Sequence, residues 1–200
     1  MVFASSASVY GDPDRLPMSE DSLLKPITPY CIGKSTVENI ARYYARFHNI
    51  KYIGFRYFNV YGPGQNVDAF YTNVVILFLK WIMNNQPPII KGDGSQSMDF
   101  INVKDIISAN VLAIEKSVEN EIFNLGTNRS TTLSQLAELL LKVIGIPELK
   151  PEYTGEKSIV MERRADYSKA YKLLGWSPRI SVEEGMGELA RDIINNPEKY

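Results

Sequence analysis

Val2-Phe3-Ala4-Ser5-Ser6 is a short apolar run that enters a Ser-rich turn, Ala7-Ser8-Val9-Tyr10-Gly11, and with the helix and strand beyond it this stretch decides the fold. The run reads as the end of a buried strand. Residues 11–29 hold Gly11, Pro13, Pro17, Pro26 and Pro29 and read as a loop. From Tyr30 to about His48 there is no proline, and Gly33 is the only glycine. Ile32, Val37, Ile40, Ala41, Tyr44 and Phe47 recur there at helical spacing, which predicts an amphipathic helix. Lys51 to Tyr57 reads as a second buried strand, and Asn59 to Gln65 as a Gly/Pro turn. Strand, loop, helix, strand is a βαβ unit of a parallel sheet. The ligand crevice of such a sheet lies outside the carboxyl ends of its strands. Ser6, Tyr30 and the turn after Tyr57 all map to that edge.

Beyond this unit the pattern predicts helices at about 71–85, 104–116, 132–145, 167–174 and 182–195, with Thr131 or Thr132 capping the third. Strands are expected at 88–91, 99–103 and 121–125, and a Gly-rich turn at 92–95. No repeat or low-complexity tract interrupts the 200 residues. A doubly wound dinucleotide site places G-x-G-x-x-G between its first strand and helix. Gly62-Pro63-Gly64 is followed by Val67 where the third glycine belongs, and Gly92-Asp93-Gly94 by Ser97. Met1 already lies at a strand, so it reads as an internal start in a longer reading frame or as a truncation.

Composition narrows the class. A hydrophobic fraction of 44% and a charged fraction of 22% are those of a globular chain with a core. A formal charge of −1 provides no field for nucleic acid or anionic lipid. The most apolar stretch, Val74 to Met83, is half the roughly 20 residues a membrane span needs and includes Lys80. No basic segment precedes Val2-Phe3-Ala4 as in a signal peptide. Cys31 is the single cysteine, so no internal disulfide forms, and the expected address is the cytoplasm. One histidine and one cysteine build no zinc site, and no metal is expected. His48 reads as a helix-end residue, Cys31 as packing, and Tyr43, Tyr44 and Phe47 as core or subunit interface.

Tyr30-Cys31-Ile32-Gly33-Lys34 carries the chemistry. Four residues make just over one turn, so both polar side chains leave the same helix face. A phenol ionises near pH 10. A neighbouring ammonium favours the phenolate, as a base that abstracts a hydroxyl proton near neutral pH requires. By itself this spacing also describes an ordinary surface pair. The Ser-rich strand end supplies the second component: a serine hydroxyl there can bond the reacting oxygen.

These residues together resemble the extended short-chain dehydrogenase/reductase superfamily, in its NAD-dependent sugar-nucleotide epimerase/dehydratase branch (UDP-glucose 4-epimerase-like). The likeness rests on Ser5-Ser6-Ala7-Ser8-Val9-Tyr10-Gly11-Asp12, Pro29-Tyr30 with Lys34, and Arg56-Tyr57-Phe58-Asn59-Val60-Tyr61-Gly62-Pro63. It continues through Gly92-Asp93-Gly94-Ser95, Asp99-Phe100 before Val103 and Asp105, and Phe123-Asn124-Leu125-Gly126. Asp166, Ser168-Lys169-Ala170 and Leu174-Gly175-Trp176 complete it. The resemblance implies an α/β fold: the C-terminal part of a Rossmann-type parallel sheet with helices, plus a smaller α/β substrate-binding domain. Residues 1–66 and 102–126 would belong to the NAD-binding domain, and 67–101 and 127–200 to the sugar-nucleotide domain. The family's upstream glycine fingerprint has no counterpart in the sequence.

By the same resemblance Tyr30 is the general base and acid for a sugar hydroxyl. Lys34 supports it and bonds the nicotinamide ribose, and Ser6 binds the same sugar oxygen. Ser6, Tyr30, Lys34 and Phe58 would contact NAD, Phe58 through its backbone. Ser8, Asn59, Asn73, Val74 and Arg163 would line the sugar-nucleotide pocket. The dehydratase branch carries an Asp-Glu pair after the residue matching Ser6; here Ala7 and Ser8 stand there, and neither moves a proton. Decarboxylases place a glutamate where Ser8 stands. The implied reaction is therefore epimerisation of a UDP-linked sugar through a transient ketone, by a homodimer in the full-length form. Met98 replaces the family's diphosphate-binding arginine, and Glu162-Arg163-Arg164-Ala165-Asp166 replaces its Arg-Pro-Gly-Asp, so Arg163 or Arg164 is the candidate for the lost charge. Two alternatives stay open: a catalytically inactive fragment or sugar-nucleotide binding module, and another family reaction such as a dehydratase or keto-sugar reductase.

Overall fold

The computed structural model describes residues 1–66, 74–155 and 162–200. In chain order the elements begin with β1 (Val2–Ser6), α1 (Pro29–His48), β2 (Ile53–Tyr57), β3 (Asn59–Tyr61), α2 (Val74–Met83) and β4 (Ile89–Lys91). Then come β5 (Ser97–Met98), β6 (Phe100–Asn102), α3 (Val103–Glu115), β7 (Glu121–Leu125), β8 (Thr131–Thr132) and α4 (Leu133–Ile144). The last are β9 (Glu152–Thr154), β10 (Glu162–Arg163), α5 (Ser168–Leu174) and α6 (Val182–Asn195). The chain forms two units. One holds Met1–Val60, Asp99–Arg129 and Arg163–Arg179; the other holds Tyr61–Met98, Ser130–Glu162 and Ile180–Tyr200.

The first unit is built on a parallel sheet in the order β1-β2-β7. Its register aligns Ser6 with Tyr57 and Tyr57 with Leu125, so the three carboxyl ends share one edge. β2 is buried from Ile53 through Arg56, as expected of a strand covered on both faces. Phe55, Ile101, Ala109, Phe123, Leu125, Leu174 and Trp176 form its main core cluster. At Gly54 the Phe3 ring packs against the bare backbone, and a Cβ there would lie 2.5 Å from its Cζ and push the ring aside. α1 starts at Pro29, a residue whose missing N–H costs nothing in the first turn. Thr28 Oγ1 caps it by accepting from Cys31 N. It ends at Asn49 in the left-handed conformation, with Arg46 and His48 in the last turn, where cations suit the helix dipole.

In the second unit α2 is apolar almost all round and buries Val75, Ile76, Phe78, Leu79 and Ile82. It packs against α4, and α4 packs against α6. Both α4 and α6 begin with reciprocal capping boxes, Thr132 with Gln135 and Ser181 with Glu184. β4 pairs with β9 in parallel and β5 with β8 antiparallel.

Residues 163–179, expected with the substrate-side domain, pack with the first unit. The 11–29 loop draws them there: Met18 N donates to Arg164 O at 2.7 Å and Asp166 N to Met18 O at 2.8 Å. The turn expected from Asn59 begins as strand β3. α1 differs more. Of the apolar residues that defined its period, Ala41 is buried, while Ile32, Val37, Ile40, Tyr44 and Phe47 are exposed in this chain. The residues α1 buries are Cys31, Glu38 and Ala41. No helix among the described residues is long and apolar enough to cross a membrane.

Candidate active site

β1 ends at Ser6, whose extended backbone turns into a short 3-10 segment over Ala7–Tyr10. Ser6 Oγ accepts from Ser8 N at 3.2 Å and from Ser8 Oγ at 2.9 Å. A hydroxyl has two lone pairs and one proton. Both contacts meet Ser6 at its Oγ. Ser8 thus bonds Ser6 at this strand end. Ala7 is buried.

α1 brings its N-terminal turn to the same strand end. Lys34 Nζ donates to Ala4 O at 2.9 Å and stands 5.7 Å from the centroid of the Tyr30 ring. That distance is within cation–π range. Tyr30 is 53% exposed. Cys31, on the covered side of the same turn, lies with Sγ 2.9 Å from Thr28 Oγ1. Burial works to raise the Cys31 thiol, but hydrogen bonds to Thr28, to Ser8 and to the backbone at Thr28 and Ile27 outweigh it and hold the thiol below its ordinary value.

Phe58 and Asn59 come directly after β2 at the same edge. Phe58 is buried, and its N–H is committed to Leu125 O at 3.0 Å. A backbone contact from Phe58 to a ligand therefore falls to its carbonyl. Asn59 donates to Asp99 O from its backbone N at 3.1 Å and its Nδ2 at 3.0 Å. Arg163 is half-buried in β10. Val74 is half-buried at the start of α2, in the second unit. Asn73 lies outside the described residues. Among the described residues no group of three or more His, Cys, Asp or Glu is placed to hold a metal ion.

Beneath the edge lies a buried polar network in which Ser5, Tyr10, Arg56 and Asn124 come from the quoted motifs and Glu38 from outside them. Glu38 and Arg56 are 0% and 2% exposed. Arg56 donates from Nε to Glu38 Oε1 at 2.9 Å and from Nη2 to Oε2 at 2.8 Å, a two-pronged fork. Ser5 Oγ donates to Glu38 Oε1 at 2.5 Å. Arg56 Nη1 reaches Tyr10 Oη at 2.8 Å, and Tyr10 donates on to Asn124 Oδ1 at 2.7 Å. Burial works against the charge on Glu38, but the hydrogen bonds and charge of Arg56, with Ser5, hold its carboxyl below the ordinary value. Burial pushes the Tyr10 phenol up to about 12, so it stays protonated. The two tyrosines near β1 therefore differ in kind: Tyr10 is a locked structural donor, and Tyr30 is an open phenol beside an ammonium. The available signal was Arg56 itself, since a charge inside a buried strand demands a partner.

A second buried anchor is Asp99, which is 0% exposed. It accepts from Thr127 N and Oγ1 at 2.7 and 2.6 Å, Asn128 N at 3.0 Å and Ala165 N at 2.9 Å. This ties the turn after β7 and the segment at Ala165 to the residue that holds Asn59. Gly126 is needed at that junction, because a Cβ there would lie 2.5 Å from Cβ of Ala165.

The family model for the NAD dependent epimerase/dehydratase family matches residues 1–126. The chain belongs to this family. Among its relatives, a putative UDP-glucose 4-epimerase of Methanocaldococcus jannaschii is 34% identical over 98% of this chain and 63% of its own length. The UDP-glucose 4-epimerase of Thermotoga maritima, solved with UDP-glucose, is 35% identical at a TM-score of 0.91, covering 98% of this chain and 63% of that one. The UDP-glucuronic acid 4-epimerase of Bacillus cereus, solved with UDP-glucuronic acid and NAD, is 30% identical at a TM-score of 0.86, covering 97% and 61%. The chain thus spans about three-fifths of the length of these family members. The parallel sheet is the family's Rossmann-type sheet.

Proposed function

We propose that this chain carries the proton-transfer site of an NAD-dependent nucleotide-sugar epimerase of the UDP-sugar 4-epimerase type. The observation that carries this reading is the convergence of Tyr30, Lys34 and Ser6 at one strand end, with Lys34 Nζ fixed on Ala4 O and 5.7 Å from the Tyr30 ring. Tyr30 takes the proton of a sugar hydroxyl as the carbon beneath it becomes a ketone, and returns it on reduction. Ser6 donates to the same oxygen and orients it. NAD, when bound, supplies the hydride acceptor and donor at that carbon. The donor set suits it: Lys34 presents a cation for the ribose hydroxyls, and the Phe58 carbonyl is an acceptor for a carboxamide.

Ala7 and Ser8 favour epimerase over dehydratase, since neither side chain beside Ser6 is a carboxyl that could assist loss of water. The relatives with UDP-sugars in their names favour a UDP-linked substrate. On this reading the first unit is the NAD-side domain and the second the sugar-nucleotide side, with Ser8, Asn59 and Arg163 of the first unit as candidate substrate contacts. The exposed apolar residues of α1, among them Ile32, Ile40 and Phe47, support a homodimer, and the lone thiol of Cys31 fits the cytoplasm.

The test is proton NMR of the full-length parent with NAD and, separately, UDP-glucose, UDP-N-acetylglucosamine and UDP-glucuronate, run in D2O. The expected result is interconversion of one 4-epimer pair with no deuterium at the sugar carbon, because the hydride does not exchange with solvent. Solvent deuterium at the inverted carbon, or loss of water from the sugar, would overturn it.

A further inference from the structure

α1 carries Tyr30 and Lys34, yet little apolar surface holds it: of its 20 residues it buries Cys31, Glu38 and Ala41. Two of these are small. The third is a carboxylate with no exposure, and burying a carboxylate costs several kcal/mol that a leucine would not. What a carboxylate provides and a leucine does not is direction. The fork from Arg56 fixes both of its oxygens to β2, and Ser5 Oγ fixes it to β1. Arg42, on α1 itself, adds a longer contact of 3.5 Å from a half-exposed side chain.

We propose that Glu38, gripped by Arg56 and Ser5, is a positioning residue that sets the register of α1 on β1 and thereby places Tyr30 and Lys34 against Ser6. Successive residues of β1 take part: Ala4 O holds Lys34 and Ser5 Oγ holds Glu38, directly before Ser6 at the strand end. Tyr30, Lys34 and Glu38 are spaced four apart on one stripe of the helix, about 12 Å from end to end. A rigid helix transmits a slip at Glu38 to the phenol. A misplacement of about 1 Å costs a reaction up to roughly 100-fold.

The inference depends on Tyr30 being the proton-transfer residue, and the experiment separates the two. Ser5→Ala removes one hydrogen bond and little volume, Glu38→Gln removes the charge from the fork, and Tyr30→Phe is the control. Each is assayed with NAD and UDP-glucose, with folding checked by circular dichroism. Ser5→Ala and Glu38→Gln are expected to lower kcat by about 10- to 100-fold while KM stays within about threefold, since the pocket is untouched and the reacting groups are displaced. If Glu38→Gln does not fold, Ser5→Ala decides alone. A kcat within about twofold of wild type in a folded Ser5→Ala protein, or a raised KM with kcat unchanged, overturns the positioning role. Full activity of Tyr30→Phe overturns the site reading, and this inference with it.

Discussion

Replacing Arg56 by methionine should cost the first unit about 3–5 kcal/mol, the range for breaking a buried ion pair from one side. The structure shows why the upper part of the range applies. Glu38 would keep Ser5 Oγ at 2.5 Å and Arg42 at 3.5 Å, but lose both prongs of its fork while remaining fully buried. Tyr10 would lose a donor at 2.8 Å, and Glu20 O one at 3.2 Å. A domain stable by about 5–15 kcal/mol would give up a large share of its margin. The companion Glu38→Leu/Arg56→Met removes both charges and should recover about 1–2 kcal/mol of the single mutant's loss, because no ion is then left unpaired. The assay is urea unfolding at pH 7 monitored by tryptophan fluorescence in a Trp81→Phe background, so that the signal comes from Trp176 in the core of this unit. The sign with pH comes from the lowered carboxyl of Glu38. Its contribution is complete above the ordinary value of 4.5 and fades as pH falls through the folded value, so the deficit of Arg56→Met should shrink in acid. A loss below about 1 kcal/mol, or a double mutant as unstable as the sum of the singles, would show that the fork does not hold the unit together in this way.

Asp99→Asn should cost about 2–4 kcal/mol, because one carboxylate oxygen becomes an N–H2 facing buried donors; calorimetric melting that shifts by less than about 3 °C would contradict this. Trp176→Phe should cost about 2–3 kcal/mol, measured by thermal melting in circular dichroism. It leaves a small void and removes the Nε1 bonds to Asp105 O and Ser108 Oγ, both 3.0 Å.

The βαβ unit was legible in the sequence because each boundary carries its own punctuation: a Ser-rich turn after β1, prolines up to Pro29, and apolar runs of strand length. The edge that collects Ser6, Tyr30 and Phe58 comes from that order alone. Two-residue strands such as β5 and β8 are too short for any period to reveal. Periodicity on α1 found an apolar stripe but could not say which side the sheet covers. The covered side is marked instead by Glu38, whose partner lies 18 residues on in another element. The membership of residues 163–179 was hidden for a related reason, since it rests on backbone hydrogen bonds to Met18, which any side chain permits. Tyr-x-x-x-Lys suggested the proposed chemistry, whereas the bonds from Ser8 to Ser6 are visible only in the structure.

The role of Tyr30 is tested most sharply by the turnover of Tyr30→Phe against wild type, read by NMR as interconversion of UDP-glucose and its 4-epimer in the presence of NAD, with UDP-sugar binding measured in parallel. Loss of the phenol hydroxyl should lower kcat by about 100-fold or more and leave UDP-sugar affinity within a few fold. Wild-type turnover in a folded Tyr30→Phe protein would mean that the proton moves through another group, and the assignment of this strand edge as the active site would fail.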